Sequence, residues 1–400
     1  MRICFFSRRY FPAISGMSVY AQNLLRELVR AGDDVTMISQ YRGDPKGSRI
    51  YGGGPPPAVP GVTVIGLEAR GEQNGGDFET DVDEMVTVAV REHRRMPFDL
   101  LHAQYCYPTG LAALEASRRL GIPNVVSVQG GDGHWVGLCC ATHKTAMLAV
   151  LNHAGSLLIG SRSFAEEVHR NHGTPLDRFT IVPGAVDIER FTPGQNHHPL
   201  VLLYHGRVDR RKGALDMLDA IAKLKSPPRL IVSGIGPDTA AVTDRVAELG
   251  LAGTVEQTGY VSYDDVPAVY HRGDIFLSPT YAEGFSNTIL EAMASGLPVI
   301  SCRAVGVVDC LRDGENGLLV EPGDIPALAV AIERTIADPD LRRTLRKRAL
   351  EEVRQLYSWP AVAEQIRAEY THLLRTTPDL DWAMPEGRAE CRFRAEPHLL

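Results

Sequence analysis

Two basic residues and two carboxylates stand where they could hold a charged small molecule. Arg207 and Lys212 bracket the stretch His205-Gly206-Arg207-Val208-Asp209-Arg210-Arg211-Lys212-Gly213, which follows the apolar run Leu200–Tyr204 and precedes a helical pattern. A guanidinium fork and a compact ammonium converging on one loop suit a diphosphate. Gly206 and Gly213 let the backbone approach closely. Arg210 and Arg211 share the loop, so a solvated basic turn is the plainer alternative for this stretch alone. A P-loop is excluded, because its spacer between glycines and its Lys-Ser/Thr ending are both absent.

The carboxylates lie in Tyr281-Ala282-Glu283-Gly284-Phe285-Ser286-Asn287-Thr288-Ile289-Leu290-Glu291, after the apolar run Ile275–Ser278 and at the start of a helical pattern closed by Gly296 and Pro298. Backbone N–H groups over Gly284, Phe285, Ser286, Asn287 and Thr288 would form an anion site at the helix start. Glu291, four residues past Asn287, falls about one turn into that helix. Glu283 and Glu291 could each accept hydrogen bonds from vicinal hydroxyls, one pair on a sugar ring and the other on a ribose. A local salt bridge for Glu291 and plain surface charge for Glu283 are the alternatives.

The elements that must position these groups follow a repeating beat of short apolar runs and amphipathic stretches. Strands are expected at 2–6, 35–39, 62–66, 100–103, 125–128, 157–159 and 180–182, with helices at 19–31, 82–95, 110–120 and 163–172. The beat breaks at the polar stretch 193–199. It restarts with strands at 200–204, 230–233, 255–258, 275–278, 299–302 and 318–320, and helices at 213–224, 239–249, 264–271, 287–295 and 326–336. Runs this uniformly apolar suit strands covered on both faces, and strand–helix alternation implies parallel sheets. We expect two doubly wound α/β domains at 1–195 and 200–356, then helices at 341–355 and 359–374. The last of these, counted as about 357–375, is taken to pack back on the first domain. Residues 376–400 form a polar, loosely held tail. The run Gly52-Gly53-Gly54-Pro55-Pro56-Pro57 makes 43–60 irregular. Open sheets of this class bind ligands at the carboxyl ends of their strands, so a cleft faced by both domains is the expected site.

Composition narrows the classes. The chain has 400 residues, 44% hydrophobic and 23% charged, which fits a globular protein of two or three domains. With 49 acidic against 42 basic residues the net charge is −7, and no general affinity for nucleic acid follows. No apolar run approaches the roughly 18 residues of a membrane span, and the run Ile3–Phe6 is too short for a signal-peptide core. The seven cysteines form no C-x-x-C pair; reduced thiols in a cytoplasmic protein are expected, with Cys139-Cys140 serving as packing.

Taken in order, the motifs resemble glycosyltransferase family 4, the retaining nucleotide-sugar-dependent enzymes of GT-B fold. They are Gly206-Arg207…Lys212-Gly213, Val232-Ser233-Gly234-Ile235-Gly236-Pro237, Gly259-Tyr260-Val261 and Glu283, seven residues, Glu291. Next come Ala292-Met293-Ala294-Ser295-Gly296-Leu297-Pro298-Val299 and Asp313-Gly314-Glu315-Asn316-Gly317-Leu318-Leu319-Val320. Upstream, Val182-Pro183-Gly184-Ala185-Val186-Asp187 and Arg190-Phe191 extend the likeness, which covers most of 1–375.

The resemblance implies roles. Arg207 and Lys212 resemble the pair that neutralises the donor diphosphate. Glu283 resembles the carboxylate that holds donor-sugar hydroxyls, aided by the backbone from Gly284 to Asn287, and Glu291 resembles the ribose-binding carboxylate. Val261 resembles the residue whose backbone reads the base, and Ser15-Gly16-Met17 resembles the glycine loop over the diphosphate, with one glycine where relatives often carry two. At Gln129-Gly130-Gly131-Asp132, many relatives have His-Gly-x-Asp, the histidine touching the donor sugar. Gln129 can donate a hydrogen bond but cannot act as a base. Asp132 and His134 complete the candidates here, His134 read as a partly exposed loop residue.

The implied reaction is a retaining transfer of a sugar from a nucleoside diphosphate sugar, uridine expected and guanosine left open, to a hydroxyl-bearing acceptor. No cofactor or metal is expected, since no Asp-x-Asp lies beside these residues to hold Mg²⁺. Tyr10, Tyr105, Tyr107, His134 and Trp135 are candidates to furnish an acceptor pocket, with ordinary packing as the alternative. The mixed charges of helix 19–31 argue against stable membrane association, and monomer and homodimer both stay open. A sugar-nucleotide epimerase of similar fold, a GDP-sugar mannosyltransferase and a non-catalytic carbohydrate-binding protein are the competing readings. A dinucleotide oxidoreductase is excluded, because no G-x-G-x-x-G follows Phe6.

Overall fold

The computed structural model describes residues 1–13, 15–43 and 53–396. Part of the stretch read as irregular, 44–52, and the last four residues of the tail lie outside the described residues. The chain divides into two compact units, one comprising 1–183 and 362–400 and the other 184–361.

In the first unit, seven strands form a wholly parallel sheet: β1 (Arg2–Ser7), β2 (Asp34–Tyr41), β3 (Val62–Glu68), β4 (Leu100–Gln104), β5 (Asn124–Val128), β6 (Ser156–Ile159) and β7 (Phe179–Ile181). Their order is β3-β2-β1-β4-β5-β6-β7, so the winding reverses between β1 and β4, where Ile3 pairs with Leu100. Every residue of β4, β5 and β6 is buried, which explains why these runs are mostly apolar instead of alternating. The edge strand β3 is mostly half-buried.

The helix Ala141–His153 escapes the sequence pattern. Its apolar residues run together through Ala146, Met147, Leu148, Ala149, Val150 and Leu151 instead of marking one face, so no helical period shows. The helix Trp359–Leu373 begins in the second unit and ends in the first, where the Tyr370 hydroxyl bonds His102 Nδ1 and Arg367 pairs with Asp33 at 2.7 Å.

The described part of the tail, 376–396, is anchored instead of loose. Phe393 is buried, and the fully buried Arg394 pairs with Glu79 at 2.6 Å and donates to the Gly76 carbonyl at 2.8 Å. One aromatic and one saturated arginine anchor a segment whose average composition is polar.

The second unit carries β8 (Leu202–His205), β9 (Leu230–Ser233), β10 (Val255–Gly259), β11 (Ile275–Ser278), β12 (Val299–Cys302) and β13 (Leu318–Val320), all parallel, in the order β10-β9-β8-β11-β12-β13. Here the reversal falls between β8 and β11, with Ile275 opposite Leu202. The division between units falls at 183/184 rather than near 195, and the polar stretch 193–199 lies inside the second unit. The buried Asp274 carboxylate holds it there, accepting from the backbone N–H of His197 (2.7 Å) and of Val201 (2.8 Å). A buried carboxylate needs such donors, and polar loop residues supply them.

Candidate active site

At the carboxyl ends of β8 and β11, the loops that carry Gly206, Lys212, Glu283 and Thr288 meet. Past β8 the chain turns at Gly206, and a Cβ on Gly234 (φ +129°) would sit 1.9 Å from the Gly206 carbonyl oxygen. The loops after β8 and β9 therefore pack backbone to backbone, a contact only glycine permits. The Tyr204 hydroxyl donates to the Arg207 carbonyl at 2.6 Å, and Arg207 Nε lies 3.3 Å from Asp209 Oδ2.

Asp209 caps the tight turn Arg210–Lys212 by accepting from the Arg211 N–H at 2.9 Å. Burial pushes its carboxyl up, but hydrogen bonds from Arg211 and the charges of Arg211 and Arg207 outweigh that and hold it below its usual range. Arg210 pairs with Asp238 and Arg211 with Asp209, each at 2.8 Å, and both arginines are more than half exposed. Of the four basic residues, Arg207 and Arg211 share Asp209 and Arg210 pairs with Asp238, whereas Lys212 reaches the loop after β11.

That direction is fixed at Gly213 (φ +70°), where a Cβ would meet the Pro279 carbonyl oxygen at 2.1 Å. Lys212 Nζ donates to the Ala282 carbonyl (3.2 Å) and pairs with Glu283 Oε1 (2.8 Å). Glu283 is itself held by its N–H, which donates to the Val305 carbonyl at 2.9 Å.

The helix Asn287–Ala294 starts beside them, and Gly206 lies against Thr288. Its first turn-closing bond runs from the Leu290 N–H to the Ser286 carbonyl, so the N–H groups of Asn287, Thr288 and Ile289 precede the intrahelical ladder. Ser286 Oγ lies 3.3 Å from Thr288 Oγ1 instead of capping an N–H.

Glu291 is buried, and its Oε2 accepts from the Tyr270 hydroxyl at 2.8 Å. Burial raises its carboxyl to about 7, against the lowering effect of that hydrogen bond and of the Arg190 charge. Arg190 donates to the Tyr263 carbonyl (2.7 Å) and sits 4.2 Å over the Tyr263 ring. Val261 is half-buried against the core in the loop after β10.

Sequence reasoning did not single out Tyr270, whose place on the apolar side of a helix carries no signal. Nor did it assign Asp209, although an aspartate just before Arg210-Arg211-Lys212 is a recognisable cap.

The first unit gathers the remaining candidates around the ends of β4 and β5. Gly16 opens the helix Gly16–Arg30 and is exposed. Gln104 Nε2 donates both to the Met17 carbonyl (3.1 Å) and to Gln129 Oε1 (3.0 Å), joining the glycine loop to Gln129. With its oxygen accepting, Gln129 has its NH₂ group left to donate to a ligand. Tyr105 adopts φ +82°, and its hydroxyl stands 2.7 Å from where a Cβ on Gly130 would be. An aromatic residue in that region is strained, a feature that clusters at functional sites.

Three other expectations are corrected, and a fourth candidate, Asp132, lies in the interior. Asp132 is wholly buried and accepts from the backbone N–H groups of Cys106 (2.8 Å) and Gln129 (3.2 Å), which ties these loops together, and burial raises its carboxyl to about 7. His134 is half-buried as a residue but does not lie in a loop. It ends a short helix with a side chain only 7% exposed, bonded to Glu167 at 2.9 Å and packed on Phe164. Tyr10 and Tyr107 are buried core residues, since their rings find apolar neighbours before they reach solvent.

Family models match both units. Residues 15–185 match the glycosyl transferase 4-like domain, and 186–352 match glycosyl transferases group 1. The chain belongs to the GT-B glycosyltransferases of family 4.

A D-inositol 3-phosphate glycosyltransferase of Corynebacterium diphtheriae is 25% identical to this glycosyltransferase over 395 residues, 89% of each chain. An MMP alpha-(1->4)-mannosyltransferase of Mycolicibacterium hassiacum is 26% identical over 92% of this chain and 98% of its own. Among solved structures, sucrose-phosphate synthase from Thermosynechococcus elongatus superposes with a TM-score of 0.78 at 24% identity, covering 93% of this chain and 98% of that one. Anabaena HepE, in complex with UDP and glucose, gives 0.74 at 18% identity over 92% and 99%. At these identities the structures show the shared fold. Among the described residues of this glycosyltransferase, no helix is long and apolar enough to cross a membrane.

Proposed function

We propose that this glycosyltransferase moves a sugar from a uridine diphosphate sugar to an acceptor hydroxyl with retention at the anomeric carbon, using no metal at the diphosphate. The observation that carries the reading is the Lys212–Glu283 pair at 2.8 Å, set at the β8/β11 reversal beside the start of the helix that bears Glu291. In this arrangement cation, helix N–H groups and carboxylate lie within one donor's reach.

As the glycosidic bond breaks, negative charge grows on the leaving diphosphate and positive charge on the anomeric carbon. Arg207, Lys212 and the N–H groups of the helix start stabilise the diphosphate. Glu283 accepts from sugar hydroxyls and Glu291 from the ribose hydroxyls, while the backbone at Val261 reads the base. Gln129, oriented by Gln104, donates to the sugar. It cannot take the acceptor's proton, so a diphosphate oxygen receives it as the acceptor attacks from the leaving-group side.

Uridine is favoured because HepE, of the same fold, binds UDP in its crystal structure. Guanosine is the second choice. Seven unpaired cysteines suit the cytoplasm, where nucleotide sugars are made.

The test is the anomeric configuration of product formed from a UDP-α-sugar in buffer without added divalent cation. An α-linked product at a rate unchanged by added Mg²⁺ is expected. A β-linked product, or turnover that appears only with Mg²⁺, overturns the mechanism.

A further inference from the structure

Outside the transfer site, three cysteines and one histidine converge from distant parts of the sequence. Cys139, Cys140, His143 and Cys391 each offer one ligand atom, and these four atoms all lie within 4.8 Å of one another. His143 Nδ1 is 3.1 Å from Cys139 Sγ and 3.6 Å from Cys391 Sγ, and Cys140 Sγ accepts from the His143 N–H at 3.5 Å. We propose that these residues form a closed structural zinc site that fastens the C-terminal segment to the first unit.

The local folding makes the set. Cys140 caps the helix Ala141–His153, which puts His143 one turn in, on the same side as the cap. Cys391 arrives on the tail, which is tied to the same helix by the Ala389 N–H donating to Thr142 Oγ1 at 2.8 Å. Tetrahedral zinc with sulfur at about 2.3 Å and nitrogen at about 2.0 Å sets its ligands about 3.5–3.8 Å apart, so only small side-chain shifts are needed. Thiolates with one imidazole are a soft set that selects zinc over magnesium or calcium.

All four positions come from the protein, which is the pattern of a structural site and not of one with an open place for substrate. His143 is fully buried between the rings of Tyr107 (4.8 Å) and Phe78 (5.8 Å), where an S–H is a weak partner for its Nδ1 and a metal a strong one. On binding, the three thiols release their protons to solvent and no electrons move. The expectation that Cys139-Cys140 merely packs is replaced by a role that a search for C-x-x-C spacing could not reveal, because the third sulfur lies far along the chain.

The cysteines provide a direct readout. Cys139, Cys140 and Cys391 are partly exposed, whereas Cys4, Cys106, Cys302 and Cys310 are buried. Full-length protein, reduced and stripped with chelator, is titrated with Zn²⁺ alone, followed by metal analysis and thiol labelling under native conditions. About one zinc per chain is expected, with Cys139, Cys140 and Cys391 labelled in the stripped protein and protected after zinc addition. Cys391→Ser and His143→Ala should each weaken zinc binding at least roughly tenfold. Equal labelling of the three thiols with and without zinc overturns the proposal. So does unchanged zinc affinity in Cys391→Ser, or a disulfide among these cysteines in protein isolated without reductant. If a variant fails to fold, protection in the unmodified chain decides alone.

Discussion

In the proposed donor site, Glu291 couples burial to recognition of the ribose. Its folded value of about 7 lies above the ordinary 4.5, so the native state keeps a proton that the unfolded chain has lost between those values. Its contribution to stability therefore falls as pH rises from about 4.5 to 7. Recognition runs the opposite way, because an ionised carboxylate accepts two ribose hydroxyls better than a protonated one. UDP affinity should rise about tenfold between pH 6 and pH 8 in the unmodified protein. In Glu291→Gln the affinity should be lower and flat across that range. An equally steep pH dependence in the glutamine variant would move the titration to another group.

Turns and strands show which parts of the site a sequence discloses. The apolar runs of β9, β11, β12 and β13 are legible to the residue, because strands buried on both faces cannot alternate. Glycine at 206 and 213 and the carboxylates at 283 and 291 are legible as motif. What the loops do with their arginines is not, since Asp209 and Asp238 claim Arg211 and Arg210 only once the turn has folded. Helix 141–153 and the tail's anchors are hidden for a related reason: an apolar run flanked by polar ends shows no period, and two anchoring residues vanish in a polar average. Gly213 is where turn geometry matters most. Gly213→Ala would add a left-handed Cβ against the Pro279 carbonyl, whereas Gly250 (φ +68°) has no atom within 4 Å of its own Cβ position. Gly250→Ala should cost about 1 kcal/mol. Gly213→Ala should cost at least about 3 kcal/mol and lose nucleotide binding. Chemical denaturation of the two variants compares them, and equal losses would mean that the turn yields.

Across the whole molecule, each unit has its own sheet and core, and residues 362–400 belong with the first unit. Removing 376–400 strips away buried Phe393 and leaves Glu79 without Arg394. A buried phenylalanine alone contributes roughly 2–3 kcal/mol. Calorimetry of the truncated chain should show the first unit melting roughly 5–10 °C lower, with the second unit unmoved. An unchanged melting profile would return the tail to the loosely held state that its composition suggests.

The proposed sugar transfer requires a nucleoside diphosphate to bind where Lys212 meets Glu283. That ion pair is partly exposed and contributes at most about 1 kcal/mol to folding, so Lys212→Ala should leave the protein folded. Calorimetric titration of UDP into the unmodified protein and into Lys212→Ala is the most direct measurement. Saturable binding to the first is predicted, weakened at least roughly tenfold in the second. UDP and GDP both failing to bind the unmodified protein, or UDP binding undiminished in Lys212→Ala, would contradict a donor site at this pair.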